Sequence, residues 1–237
     1  LAHNCVAMLT VTSVPLTAPW GGRDMLMSAA PFSFVCPAGE ERPVIGDLAL
    51  CGTWDFHIVK AVNEGKRLDR KLLVDPDTGE LTDDPTRFID DPSSRLTPVR
   101  AATVFPDHKI YGFNVFSEIM TGLLTPGGLT ADQLQYPTRD YVEKGVKVDR
   151  GGGGYITVVD VSRLMPVDLF KTRVDTWIRT IKGSRLVKGA EEILLPGERA
   201  QRNEERCLAE GVEIRDEHWE NLERIAADLS VDINALR

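Results

Sequence analysis

Apolar residues recur with a helical period through the segment that follows His108. Ile110, Phe113, Phe116, Ile119, Met120, Leu123 and Leu124 repeat at helical spacing, while Asn114, Ser117, Glu118 and Thr121 form one polar stripe. Asp107 is placed to cap this helix, and Pro126, Gly127 and Gly128 to end it. Residues 6–14 are β-branched and apolar and predict a buried strand; residues 32–36, 43–50 and 155–161 predict further strands. A helix is expected from a Thr53 cap to about Glu64, with Gly65 as its stop. The apolar run before Asp75 and the Asp77-Thr78-Gly79 turn predict a hairpin, and the charged, Pro-containing residues 82–95 a loop. Pro166 opens a helix whose Val167, Phe170, Val174, Trp177 and Ile181 share a face and which Gly183 ends. Two more helices follow. One runs from Glu198 to a stop at Gly211; the other is capped by Asp216 and turns Trp219, Leu222, Ile225 and Leu229 inward.

This alternation is α+β (mixed α/β), and no strand leads through a GxGxxG turn into a helix. A Rossmann dinucleotide site is therefore not encoded. The chain has 237 residues, 42% hydrophobic and 27% charged, enough for one large or two small domains with a substantial core. A net charge of −8 without a basic, aromatic-interleaved stripe argues against nucleic acid. No apolar run is long enough to span a bilayer. Cys5, Cys36, Cys51 and Cys207 lack metal-type spacing and read as reduced thiols of a cytoplasmic protein. The chain starts at Leu1-Ala2-His3-Asn4 directly before a strand, and reads as the remainder of something longer.

One residue stands out electrostatically. Lys109 falls in the first turn of its helix, where the dipole favours anions over cations. An anion held between the helix amides and the ammonium, as phosphates are at helix starts, would remove the misfit. A solvated surface lysine is the other reading, and the local pattern admits both.

Five pieces occur in an order known from one family. They are Ala18-Pro19-Trp20-Gly21-Gly22, Pro31-Phe32, Pro43-Val44-Ile45-Gly46-Asp47-Leu48-Ala49, His108-Lys109-Ile110-Tyr111-Gly112 and Leu194-Leu195-Pro196-Gly197-Glu198. In these the chain resembles the type-2 malate/L-lactate dehydrogenases from His3 onward. The resemblance implies a non-Rossmann nicotinamide-binding fold, with a mixed or largely antiparallel sheet packed with helices. It also implies a homodimer and hydride transfer between NAD or NADP and a 2-hydroxy or 2-oxo acid such as malate or lactate. Carried over by position, cofactor contacts fall at Ser13, at Asp47, Leu48 and Ala49, at Lys109, and near Gly189, Ala190 and Glu191. Asp47 also falls where some members orient a catalytic histidine.

The sequence departs from the family pattern in places. Ser28-Ala29-Ala30 stands where Gly-Thr-Asn is usual before the proline, Leu50-Cys51 follows the Asp-Leu-Ala triplet, and Ile110 replaces a glycine that lets backbone approach a ligand. The family's catalytic Ser-His pair, arginine and second histidine correspond to sequence ahead of Leu1, so the catalytic residues are unknown here. His3, His57 and His218 read as surface or packed histidines, and His108 as a helix-start packing residue.

Other motifs read more plainly. Gly151–Gly154 leads into a strand without a Lys-Ser/Thr and is a turn, not a phosphate loop. Asp83-Asp84 and Asp90-Asp91 are solvated turn residues, and no metal site is expected. Trp20 either lines a pocket or pins its loop to the core. The Glu/Arg-rich residues 198–206 form an exposed helix face. The expected organisation is a cofactor-binding region over residues 1–150 containing a buried Lys109 helix. Residues 151–237 are expected to pack a strand and helices back on the sheet or dimer surface. The function expected is that of an oxidoreductase or its cofactor-binding portion; the alternative is a non-catalytic binding or structural dimer module.

Overall fold

The computed structural model describes residues 1–89, 99–132, 152–214 and 216–233. Asp90-Asp91, Gly151 and the expected division at residue 150 lie outside them. By its internal contacts the chain separates into Leu1–Gly197 and Glu198–Arg237.

The first unit carries two sheets. β1 (Cys5–Val11), β4 (Pro31–Cys36), β5 (Val44–Ala49) and β9 (Gly154–Asp160) form an antiparallel sheet in the order β5-β4-β1-β9. β2 (Pro15–Thr17), β3 (Met27–Ser28), β6 (Leu73–Val74), β7 (Leu81–Thr82) and β8 (Ala102–Thr103) form a second sheet, mixed because β2 and β8 run parallel. The α+β class is thus observed. The strand expected over 6–14 ends at Val11, before β2 begins at Pro15, and most of β1 is only half-buried, because one face of its sheet is open. The predicted hairpin is β6–β7, with Gly79 left-handed at φ +78 and Asp75 accepting the Asp77 and Thr78 amides. The 82–95 loop contains a short 3-10 turn, Pro85–Arg87, capped by Asp84.

Helix α1 (Asp55–Asn63) starts one residue later than expected, at an uncapped Trp54, because the Thr53 hydroxyl pairs instead with His57 Nδ1 at 3.1 Å. α1 closes over the main core, where Ile58, Leu73, Phe88 and Ala101 are buried together. α2 (His108–Glu118) continues as a π-helical turn, Ile119–Leu123. It lies on the sheet face that carries Thr10 and Phe32, which share a face by register. α3 (Val167–Lys182) covers the same face further along, packing Val174 and Ile178 against Phe34, Cys36 and Val44.

α2 is oriented polar side inward. Asn114, Ser117 and Thr121 are buried, whereas Phe116, Ile119, Leu123 and Leu124 are exposed, the last at 68%. The physical reason is a matching row of partners on the sheet and the segment before β4. The Thr10 and Ser117 hydroxyls pair, Thr12 donates to Thr121 at 2.8 Å, and Asn114 Nδ2 donates to the Ser28 carbonyl at 2.9 Å. Buried polar groups need such partners, and here they supply one another. Asn114 Oδ1 is the exception, a buried acceptor with no partner among the described residues.

Gly153 closes this region. A Cβ there would collide with the Thr121 carbonyl, while the Gly153 carbonyl accepts the Thr12 amide at 2.9 Å. The glycine run serves close packing.

The second unit contains α4 (Glu198–Glu210) and α5 (Asp216–Asp228). On α5, Leu222, Ile225 and Leu229 are exposed and Ala226 is buried, so the inward stripe expected there is corrected. A unit of so few residues has too little surface to cover such a stripe by itself. No helix among the described residues is long and apolar enough to cross a membrane.

Candidate cofactor-binding site

Two of the expected sites, Ser13 and the Asp47–Ala49 triplet, converge on one short segment, Ser28 to Pro31. Ser13 follows β1, and its amide donates to Ser28 Oγ at 2.8 Å. Asp47, Leu48 and Ala49 end β5, where Ala49 pairs with Pro31 and the Leu50 amide donates to the Ala29 carbonyl at 3.0 Å. α2 holds the segment from below through Asn114 and through Glu118, whose Oε1 accepts the Ser28 amide at 2.9 Å. Thr130 donates to both oxygens of Glu118 and steadies that carboxylate.

Ala30, inside this segment, is buried with φ +39. A side chain in the left-handed region costs about 1 kcal/mol or more, which glycine and asparagine tolerate better than alanine. Its amide donates to Ser28 Oγ at 2.9 Å, so one hydroxyl holds both Ser13 and the strained residue. The Ser28–Ala30 departure from the family pattern therefore sits at the structural hub of the site.

Strand pleating separates the triplet. Asp47 and Ala49 share the open sheet face with Leu9 and Ser33, while Leu48 shares the face that α2 covers. Asp47 Oδ1 accepts from Ser33 Oγ at 3.0 Å; no imidazole is its partner. Both ends of the triplet are reachable because β5 is an edge strand.

Lys109 is the second residue of α2 and is exposed, and no hydrogen bond or ion pair joins it to Asp47. The anion that reconciles its charge with the helix dipole is already in the chain. Asp107 Oδ1 accepts the amides of Lys109 at 2.7 Å and Ile110 at 3.0 Å. These bonds, with the charges of His108 and Lys109, hold the Asp107 carboxyl below its usual range. Two helix-start amides are therefore taken, and the ammonium of Lys109 is the cation beside them that could meet a phosphate.

Gly189, Ala190 and Glu191 are exposed, and no hydrogen bond among the described residues ties them to the Ser28–Pro31 segment. They precede Pro196, whose carbonyl accepts the Ile45 amide at 3.1 Å, and Gly197 at φ +96, where a Cβ would come 2.8 Å from the Ile45 carbonyl. That turn seats against the start of β5, away from Asp47–Ala49.

Sequence reasoning missed the roles of Ser28, Asn114 and Glu118. For Asn114 and Glu118 the signal was the polar stripe itself. The cysteines are free. Cys51, two residues beyond Ala49, is buried, and its thiol is pushed up to about 11 by desolvation. It is therefore a thiol at neutral pH, unsuited to nucleophilic work.

A nicotinamide dinucleotide needs a carboxylate or carbonyl for ribose hydroxyls, a cation for diphosphate and accessible backbone. Asp47 has an oxygen beyond the one that Ser33 engages, Lys109 makes no ion pair with any described residue, and β5 is an edge strand. The donor set fits the group.

Comparison with known proteins agrees with this fold. The family model described as malate/L-lactate dehydrogenase matches residues 1–223. Malate/(S)-sulfolactate dehydrogenase from Methanothermus fervidus is 21% identical over 98% of this chain and 62% of its own length. L-lactate dehydrogenase from Cupriavidus necator is 24% identical over 94% of this chain and 59% of its own. Among solved structures, sulfolactate dehydrogenase from Methanocaldococcus jannaschii superposes with a TM-score of 0.78, covering 99% of this chain and 62% of that one, at 21% identity. The chain thus spans about three-fifths of the length of these relatives. With the match running through both sheets and α1 to α4, the chain belongs to the malate/L-lactate dehydrogenase family.

Proposed function

We propose that this chain is the cofactor-binding portion of a cytoplasmic, homodimeric oxidoreductase that uses NAD or NADP on a 2-hydroxy or 2-oxo acid such as malate or lactate. The observation that carries the reading is the convergence of Ser13, the end of β5 and α2 on the Ser28–Pro31 segment, in a chain of this family. The nicotinamide supplies or accepts the hydride when bound. The chain's own residues bind and orient: Lys109 meets diphosphate with its ammonium, Asp47 takes a ribose hydroxyl, and the backbone of Leu48 and Ala49 lines the edge. Gly189, Ala190 and Glu191 are a further proposed contact. Residues 1–150 carry the binding region in this reading.

Calorimetric titration with NAD(H) and NADP(H) tests the reading, with Lys109→Ala and Asp47→Asn beside the wild type. The expected result is binding on the order of micromolar, about −8 kcal/mol, weakened at least tenfold by Lys109→Ala. Binding of neither nucleotide overturns it. The two departures at Ala30 and Ile110, with the Asp107 cap on the helix amides, favour a second reading in that event: a non-catalytic module that keeps the family fold.

A further inference from the structure

A cleft of about 510 Å³ opens beside the second sheet, and none of the proposed cofactor contacts lines it. Its walls come from the Ala18–Gly22 segment, the approach to β6, the β6–β7 turn and the residues after β8. The floor is apolar and well packed: Leu72 and Phe105 are buried, and Phe105 is braced by a ring contact with Tyr111 of α2 at 5.5 Å. The rim is apolar too. Trp20 and Leu81, both about half exposed, extend the apolar surface of the floor outward. Trp20 is set in place by an edge contact with His108 at 6.3 Å, and its indole N–H has no partner among the described residues.

The charge at this cleft opposes the charge of the chain. Arg70 and Lys71 line it, and no acidic side chain does, in a protein of net charge −8. Lys71 makes no ion pair with a described residue, and the Asp69 carboxylate reaches Arg70 at 3.9 Å, too long for a hydrogen bond. Two weakly compensated cations above an apolar floor suit a ligand with a flat hydrophobic body and an anionic group. Stacking on Trp20 would serve the body, and the cations the acid. The volume lies within the range of small-molecule sites, roughly 300–1,000 Å³.

We propose that this cleft is a second ligand site, taking a small organic anion with a planar apolar body, such as an aromatic carboxylate or sulfonate. Binding there does not depend on the dehydrogenase reading. The contact of Trp20 with His108, next to Lys109, makes the cleft a neighbour of the proposed cofactor path without being part of it.

The test uses 8-anilinonaphthalene-1-sulfonate as the probe, titrated by fluorescence against the whole chain. One saturable site is expected. The pair Arg70→Gln/Lys71→Gln, both at exposed positions, is expected to weaken it by about tenfold, and added salt to do the same in the wild type. Trp20→Ala is expected to abolish saturable binding, while the uncharged N-phenyl-1-naphthylamine responds to Trp20→Ala and not to the charge removal. Two results overturn the proposal. One is binding unchanged by both variants but lost on Phe116→Ser, which would put the probe on the apolar side of α2. The other is stoichiometric displacement of the probe by NADH, which would make the cleft part of the cofactor site. Lys109→Ala separates the two readings, because it is expected to weaken nucleotide binding and to leave probe binding unchanged.

Discussion

α2 and α3 lie on the same sheet face and are both amphipathic, yet they face it with opposite sides. α3 follows the ordinary rule, burying Val174 and Ile178 on Phe34 and Val44. α2 buries Asn114, Ser117 and Thr121 and leaves Phe116, Leu123 and Leu124 outside. The difference lies in what each meets. Under α3 the sheet is apolar; under α2 it presents Thr10, and Thr12 and Ser28 lie beside it, each of which satisfies a polar side chain of the helix. A stripe in a sequence thus identifies two faces, and the complementary surface decides which one goes in.

The comparison can be broken hardest at Asn114. Asn114→Asp would place a carboxylate against the Ser28 carbonyl in a dry site and is expected to cost about 4 kcal/mol, read by urea unfolding. If the variant loses less than about 1 kcal/mol, the polar side of α2 is not truly buried. On α3, Ile178→Ala is expected to cost about 3 kcal/mol in the same assay, the ordinary loss for an emptied aliphatic site.

Asp175 gives an intermediate effect with a pH signature. It is buried on α3 and accepts the amides of Gly39, Glu40 and Glu41 at 3.0, 2.9 and 3.2 Å, which hold its carboxyl below the usual range. A folded pKa below the unfolded value of about 3.9 means that this stabilisation is complete above that pH and is lost as pH falls through the folded pKa. Asp175→Asn is expected to cost about 2 kcal/mol at pH 7, with the two stability curves converging as pH falls below the unfolded value. Parallel curves down to pH 2 would contradict the assigned role.

The hydroxyl pair beneath α2 is a finer instrument. Thr10→Val and Ser117→Ala are each expected to cost about 1.5 kcal/mol, but the double variant clearly less than the sum, because each single change strands a buried partner. Additive losses would show that the two hydroxyls act independently. The smallest effect belongs to the outer side of α2, where Phe116→Ser is expected to change the stability of the isolated chain by less than about 0.5 kcal/mol. A larger loss would mean that this side is covered.

Much of the local structure was legible in the residues. The Asp107 cap, the Gly79 turn and the strands around Val44 and Tyr155 appear where spacing and turn chemistry put them. The face of α3 was nearly so, with Ile178 inward and Trp177 half exposed, because Asp175 is tied to the Gly39–Glu41 loop and turns the helix by about one position. At the site, Ser13 and Asp47–Ala49 could be located but their meeting point could not. Ser28 gathers bonds from residues far apart in the chain, and no periodicity encodes which hydroxyl will find which amide.

By itself the chain determined its elements, its caps and its turns, since these depend on neighbours a few residues away. It also placed the Asp107 carboxylate as the cap at the start of α2, beside Lys109. Only the tertiary structure decided that α2 turns its hydroxyls inward, that Asp47 and Leu48 look to opposite faces, and that Arg70 and Lys71 stand over an apolar cleft. Those outcomes rest on surfaces brought together from distant segments, where a polar group's energy is set by the partner it meets and not by the residues beside it.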